Sequence, residues 1–146
     1  MDRLIEFVLN HYLLSLGLAV VTFLLIQDLI ESLFNKFESL SPLLAVTKMN
    51  ANDAVIIDVR EPHEFSKGAI ENAINIPLGK LESQLDEIAH HKNHPVIVVC
   101  QSGTRSVPAC KTLNQAGFSD VYNIIGGMQS WEDHKLPIKA TGKKKS

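Results

Sequence analysis

Hydrophobic and polar positions are unevenly distributed, and the break falls near residue 40. From Phe7 through Gln27 there is no Asp, Glu, Lys or Arg. That run of about 21 residues is close to the ~20 that a helix needs to cross a bilayer's hydrocarbon core. Its middle, Tyr12 to Ile26, is rich in Leu, Val, Ile and Phe and free of proline, so a helix satisfies its own backbone groups in lipid. Asn10 and His11 stand at one end, where water and headgroups solvate them, and Tyr12 suits an interface. A cleaved signal peptide would want a basic start and small residues at a cleavage site. This chain instead begins MDRLIE and leaves the apolar run through LIQDLIESLF. A buried soluble helix would need a large partner core. The pattern therefore predicts a transmembrane anchor helix over 5–28. Leu29, Ile30, Leu33, Phe34 and Phe37 then recur at helical spacing, with Glu31, Lys36 and Glu38 between them. They predict a linker helix over 29–39.

From residue 40 the pattern alternates. Ser41-Pro42 is a helix start, an N-cap serine with proline at the first helical position. The helix it opens runs to about Asn50 and buries Leu44 or Ala45, Val46 and Met49. Ala54 to Asp58 is a short continuous apolar run, the mark of a strand covered on both faces. Glu61 to Ser66 predicts a helical turn, and Ala73 to Ile76 a strand stopped by Pro77. Leu78 to His90 reads as a helix with Leu81, Leu85 and Ile88 on one face. Pro95 to Cys100 is the strongest strand and predicts the sheet centre. A helix follows over Arg105 to Ala116, a strand over Asp120 to Ile124, and a last short helix after Gly126-Gly127 carrying Met128 and Trp131. This alternation predicts an α/β fold, a doubly wound and mostly parallel sheet flanked by helices. In such sheets sites form beyond the carboxyl ends of the strands, where Cys100 falls.

The 146 residues hold one globular domain, and the formal charge of -2 gives no basic surplus for nucleic acid. The two cysteines, Cys100 and Cys110, are poor disulfide partners. They point to a reducing compartment and a chemical role for one of them.

The chemistry concentrates in VIVVCQSGTRS. A tight loop rimming a helix N-terminus turns successive backbone N–H groups inward as an anion cradle. Gly103 permits the turn and Arg105 adds a fixed positive charge, so Cys100 is expected to ionise readily, and the thiolate is the nucleophile. Gln101, Ser102, Gly103 and Thr104 form the loop and line its mouth. His90, His91 and His94 crowd together but lack Cys or carboxylate partners at ligand spacing, so no metal is expected. Cys110 reads as a small core residue. Lys143 to Lys145 end a basic tail over 139–146 that is expected to be disordered and, if cytoplasmic, able to lean on anionic headgroups.

At these residues the sequence resembles the rhodanese family. Asp58-Val59-Arg60, Glu64, Gly68-Ala69-Ile70 and Ala73-Ile-Asn75-Ile-Pro77 look like the family's segment ahead of its active site. Cys100-Gln-Ser-Gly-Thr-Arg105-Ser106 looks like its catalytic loop, and Gly126-Gly127-Met128 with Trp131 like its closing motif. The likeness spans 40–138, the expected rhodanese-like domain. One departure is Ala69, where the family often has histidine.

The resemblance implies a sulfurtransferase that carries sulfur as a Cys100 persulfide and needs no cofactor. A small sulfur donor such as thiosulfate would supply the sulfur, and a thiol or a cyanide-like nucleophile would accept it. Arg105 would stabilise the anions, while Asp58 and Arg60 orient the loop or form a structural ion pair. Other expected partners are the lipid bilayer and a membrane or sulfur-relay protein, with no nucleic acid. The alternative is a non-catalytic binding or scaffold module at the membrane. Phosphatase or arsenate-reductase activity is a minor alternative, since the four residues between Cys100 and Arg105 make a shorter loop than phosphatases use. The expected location is a bacterial inner membrane, single-pass, with the domain facing the cytoplasm. Arg3 on one side and Lys36 and Lys48 on the other leave the positive-inside rule undecided.

Overall fold

The computed structural model describes residues 1–34 and 36–140. The chain divides into two compact units, one before Lys36 and one from Lys36 on. In the first, α1 (Asp2–Asn10) and α2 (Tyr12–Phe34) meet at His11, whose φ of -126° and ψ of 42° interrupt the helix. Within α2, Tyr12–Leu33 is long and apolar enough to cross a membrane by length and composition. Its side chains are exposed, with only Ser15 half-buried among those whose placement is described. The Thr22 hydroxyl donates back to the Leu18 carbonyl at 2.8 Å, so it presents no unpaired donor to apolar surroundings.

The linker helix expected over 29–39 is not formed as such. Residues up to Phe34 continue α2, and Phe37–Leu40 is a strand, β1. It pairs in parallel with the last strand, Phe37 opposite Val121 and Leu40 opposite Ile124. Phe37 lies at helical spacing from Phe34, which suggested the helix, but so short a run is ambiguous in period. Edge pairing decides it, since Leu40 is buried in one core layer and Phe37 packs against the other.

The second unit continues with α3 (Pro42–Asn52), β2 (Val55–Asp58), α4 (Pro62–Lys67), β3 (Ile74–Asn75), α5 (Leu85–Ile88), β4 (Val96–Val99), α6 (Ser106–Gln115), β5 (Val121–Ile124) and α7 (Gly127–Asp133). The sheet order is β1-β5-β4-β2-β3, and every pairing is parallel. The fold class read from the alternating pattern is thus the one found, with the β-branched strand at the centre.

Side chains of β4 alternate between faces. Val96 and Val98 join Leu81, Ile88, Leu113 and Phe118 on the α5–α6 side, while Ile97 and Val99 join Ala45, Met128 and Trp131 on the α3–α7 side. All four β4 residues are fully buried, each worth roughly 1.5–3 kcal/mol relative to exposure. Ser41 caps α3, its hydroxyl accepting from Leu44 N–H at 3.4 Å. Ala45 is the buried member of its pair and Leu44 is exposed.

The single helix expected over Leu78 to His90 is broken into 3-10 turns at Leu78–Lys80, Glu82–Gln84 and Ala89–His91 around the one α-turn of α5. Gly79 is a weak helix former. The Ser83 hydroxyl bonds back to the Lys80 carbonyl at 2.9 Å, and burial of Leu81 and Ile88 sets the path instead. Lys139, placed in the tail by sequence, pairs its backbone with Ala69 in an antiparallel bridge at 2.8 and 3.0 Å. The rest of the expected tail from residue 141 lies outside the described residues.

Candidate active site

Cys100 follows the last residue of β4 and is fully buried beneath the loop 101–105. Its sulfur accepts the Gly103 N–H at 3.0 Å, and its thiol donates to Ser106 Oγ at 3.5 Å. Gly103 has φ +93°, a conformation side chains resist, and a Cβ there would stand 3.2 Å from Gly126 N. The loop is held from behind by α7. Met128 N–H donates to the Cys100 carbonyl at 2.7 Å and Gln129 N–H to the Gln101 carbonyl at 3.0 Å. With its carbonyls tied back, the loop turns the Gly103 amide toward the sulfur. Ser102 and Thr104 lie exposed above it, their hydroxyls 3.1 Å apart.

Arg105 does not reach freely into the loop. Its guanidinium forms two hydrogen bonds to Glu64 of α4, at 2.8 and 2.9 Å. These bonds hold the Glu64 carboxyl at about 2 and raise Arg105 from its ordinary value, with the Cys100 sulfur acting on Arg105 in the same direction. Arg105 thus stands at the helix start as a positive charge held by an acidic partner.

Asp58 and Arg60 are brought together as an ion pair. The Arg60 Nε and Nη2 donate to the Asp58 carboxylate at 2.8 to 3.1 Å in a buried pair. The remaining Nη1 reaches Gln101 Oε1 at 3.3 Å, so the pair also touches the loop. Arg60, Glu64, Lys67, Gly68, Gln101 and Glu132 line a polar cavity of about 330 Å³ beside it.

Three residues escaped the assignment of roles from sequence: Glu64, Ser106 and Asn123. Glu64 stands 41 positions from Arg105, and no spacing rule links them. Ser106 and Asn123 are buried polar side chains joined to each other by a hydrogen bond. Asn123 in an apolar strand is the signal that was available. Cys110 lies in the same core layer as Cys100, and burial pushes its thiol up to about 12, so it stays protonated and inert. His90, His91 and His94 lie close together in the turns after α5, with ring centroids 3.8 and 6.1 Å apart in sequence order and the rings tilted or edge-on to one another.

A buried cysteine whose sulfur accepts a loop amide, at the carboxyl end of the central strand of a parallel sheet, defines a candidate thiol site on an α/β scaffold. The model of the Rhodanese-like domain matches residues 41–134, and the chain belongs to that family. It is 39% identical over 103 residues to a sulfurtransferase of Allochromatium vinosum, covering 70% of this chain and 91% of that one. An uncharacterized protein of Escherichia coli, YibN, is 30% identical over 139 residues, covering 94% of this chain and 97% of the relative. Among solved structures, a rhodanese-related protein of Thermoplasma volcanium superposes with a TM-score of 0.65 at 30% identity, covering 70% of this chain and 98% of that one.

Proposed function

We propose that the chain is a sulfurtransferase that moves a sulfane sulfur through a Cys100 persulfide, held at a membrane by the Tyr12–Leu33 helix. The observation that carries this reading is the Gly103 N–H aimed at the Cys100 sulfur at 3.0 Å, a donor placed for a sulfur anion. In the first half-reaction the Cys100 thiolate attacks the outer sulfur of a donor such as thiosulfate. The donor's S–S bond breaks and its electron pair leaves with sulfite. In the second, a thiolate or cyanide attacks the outer persulfide sulfur, and the electron pair of that S–S bond returns to Cys100. Gln101, Ser102 and Thr104 would meet the donor at the loop mouth, while Arg105, fixed by Glu64, offsets the passing negative charge. Asp58 and Arg60 would keep Gln101 in place.

The complete burial of Cys100 favours the second reading, a binding or scaffold module at the membrane. Intact mass after thiosulfate separates the two. A gain of one sulfur atom, reversed by cyanide with release of thiocyanate and absent in Cys100→Ser, supports transfer. A folded chain that gains nothing supports the binding module. The domain is expected on the cytoplasmic side, where thiols stay reduced.

A further inference from the structure

Behind Cys100 runs a line of polar side chains that the sulfur chemistry above does not use. Ser106, in the first turn of α6, places its hydroxyl 3.5 Å from the Cys100 sulfur and donates to Asn123 Oδ1 of β5. The Gly103 carbonyl, 3.1 Å from the same hydroxyl, is a second acceptor for it. Asn123 Nδ2 donates in turn to Ser39 Oγ at 3.5 Å, and Ser39 is exposed on β1 at the sheet edge. Ser106 is fully buried and Asn123 is 5% exposed. The end of β4, α6, β5 and β1 therefore contribute one polar group each, in a region otherwise largely apolar. An unpaired buried amide or hydroxyl costs on the order of 1–3 kcal/mol, so each link needs its neighbour.

The members of this line share one property. Hydroxyls donate and accept, and a carboxamide presents a donor and an acceptor of the same shape at its two ends. The line can therefore run in two directions. With Cys100 as a thiol, S–H donates to Ser106, Ser106 donates to Asn123 Oδ1, and Asn123 Nδ2 donates to Ser39. With the sulfur anionic, that first proton is gone. Ser106 then turns its O–H onto the sulfur, Asn123 rotates its amide to donate to Ser106, and Ser39 donates to Asn123 Oδ1. Every group stays paired in both directions, and no proton travels along the line.

We propose that Ser106 is the ionisation-responsive partner of the Cys100 sulfur, accepting from the thiol and donating to the thiolate, with Asn123 as the positioning residue that lets it reverse. The thiolate is then held from two sides, by Gly103 N–H in the loop and by Ser106 from α6. The inference rests on the persulfide reading for its use, since a thiolate is both the attacking group and the group released. The charged groups around the site are Arg105 at the start of α6 with its partner Glu64 of α4, Lys67 of α4, Glu61 before α4, Glu132 of α7, and the Asp58–Arg60 pair at the end of β2; Cys110 of α6 is the other thiol. None of them is altered in the variants below.

The test is the ultraviolet thiolate band of the full chain in detergent, followed against pH with Cys100→Ser as the blank. Ser106→Ala is expected to move the thiolate midpoint up by about one to two pH units, the size of one hydrogen bond to an anion. Ser106→Thr keeps a hydroxyl and is expected to return the parent midpoint. Asn123→Leu should raise it by less, and Ser106→Ala/Asn123→Leu should raise it no further than Ser106→Ala alone, because Asn123 acts through Ser106. An unmoved midpoint in Ser106→Ala, or additive shifts in the double variant, overturns the proposal. Should Ser106→Ala not fold, Asn123→Leu carries the test beside Ser106→Thr: a raised midpoint supports the line, an unmoved one removes it. A chain that titrates as described but takes no sulfur from thiosulfate leaves this inference standing and removes the sulfurtransferase reading.

Discussion

The Glu64 carboxylate accepts both terminal nitrogens of Arg105, at 2.8 and 2.9 Å, and so ties the amino end of α6 to α4 across the mouth of the cysteine loop. The same carboxylate accepts the Glu61 N–H at 2.9 Å, which anchors it to its own helix start. The loop arginine is thereby a placed charge and not a mobile one. The side chains keep 34% and 24% exposure, so solvent screens the pair.

Glu64→Gln is expected to lower stability at neutral pH by about 1 kcal/mol, well under the ~3 that the pKa change alone would suggest, because of that screening. The folded carboxyl, at about 2, lies below its ordinary 4.5. Its contribution is therefore fully present above that ordinary value and is lost as pH falls through the folded one. Urea unfolding of parent and variant from pH 7 down to pH ~2 should show the two curves converging at the acid end. A constant gap over that range would mean that the carboxylate charge is not what Arg105 uses.

Asp58 and Arg60 differ from that pair in being buried, at 0% and 4% exposure. Removing one partner strands the other, which typically costs about 3–5 kcal/mol. Asp58→Leu is expected to fall in that range by urea denaturation. Asp58→Leu/Arg60→Met should recover part of the loss, since no unpaired charge remains. Gln101 loses its 3.3 Å contact with Arg60 in the double variant, so persulfide formation should stay slow even where stability returns. Stopped-time intact mass after thiosulfate measures that rate.

How far the sequence discloses this molecule depends on the range of the forces involved. The buried strand Val96–Val99, the Ser41 cap and the turn at Gly126-Gly127 are local, and the apolar pattern and turn chemistry reveal them. The strand Phe37–Leu40 is not local. Phe37 satisfies a helical period as well as a strand, and only the free edge of β5, 84 residues away by the Asn123–Ser39 contact, decides between them. Cys100, Gly103 and Arg105 are legible as a site because they share one loop. Glu64 and Asn123 are not, because the fold alone brings them to that loop from α4 and β5.

The anchor reading makes its own prediction. Tyr12–Leu33 exposes its apolar side chains all round, which water would not tolerate and lipid would. The full chain is expected to stay with membranes through an alkaline carbonate wash. Val20→Arg/Val21→Arg, which puts two charges at mid-span at about 2.5–3.5 kcal/mol each by the insertion scale, should release it. Release of the parent chain, or cleavage seen by N-terminal mass, would instead make the segment a signal sequence.

Gly127 offers the sharpest steric test of the loop's support. It has φ +59°, and a Cβ there would overlap the Cys100 carbonyl oxygen and the Gln101 carbonyl carbon. The next two amides, Met128 and Gln129, are the ones that hold those carbonyls. Gly127→Ala therefore strains the backbone and pushes α7 away from the loop together. The combined cost is expected to exceed ~2 kcal/mol by urea denaturation. Because the displaced carbonyl belongs to Cys100 itself, persulfide formation should fall more steeply than stability does. Gly126→Ala is the control. It also has positive φ, but its Cβ would meet Ser130 instead of the loop, so stability should drop with the persulfide rate largely kept. Equal losses of rate in both variants would place the support of the cysteine loop elsewhere than in α7.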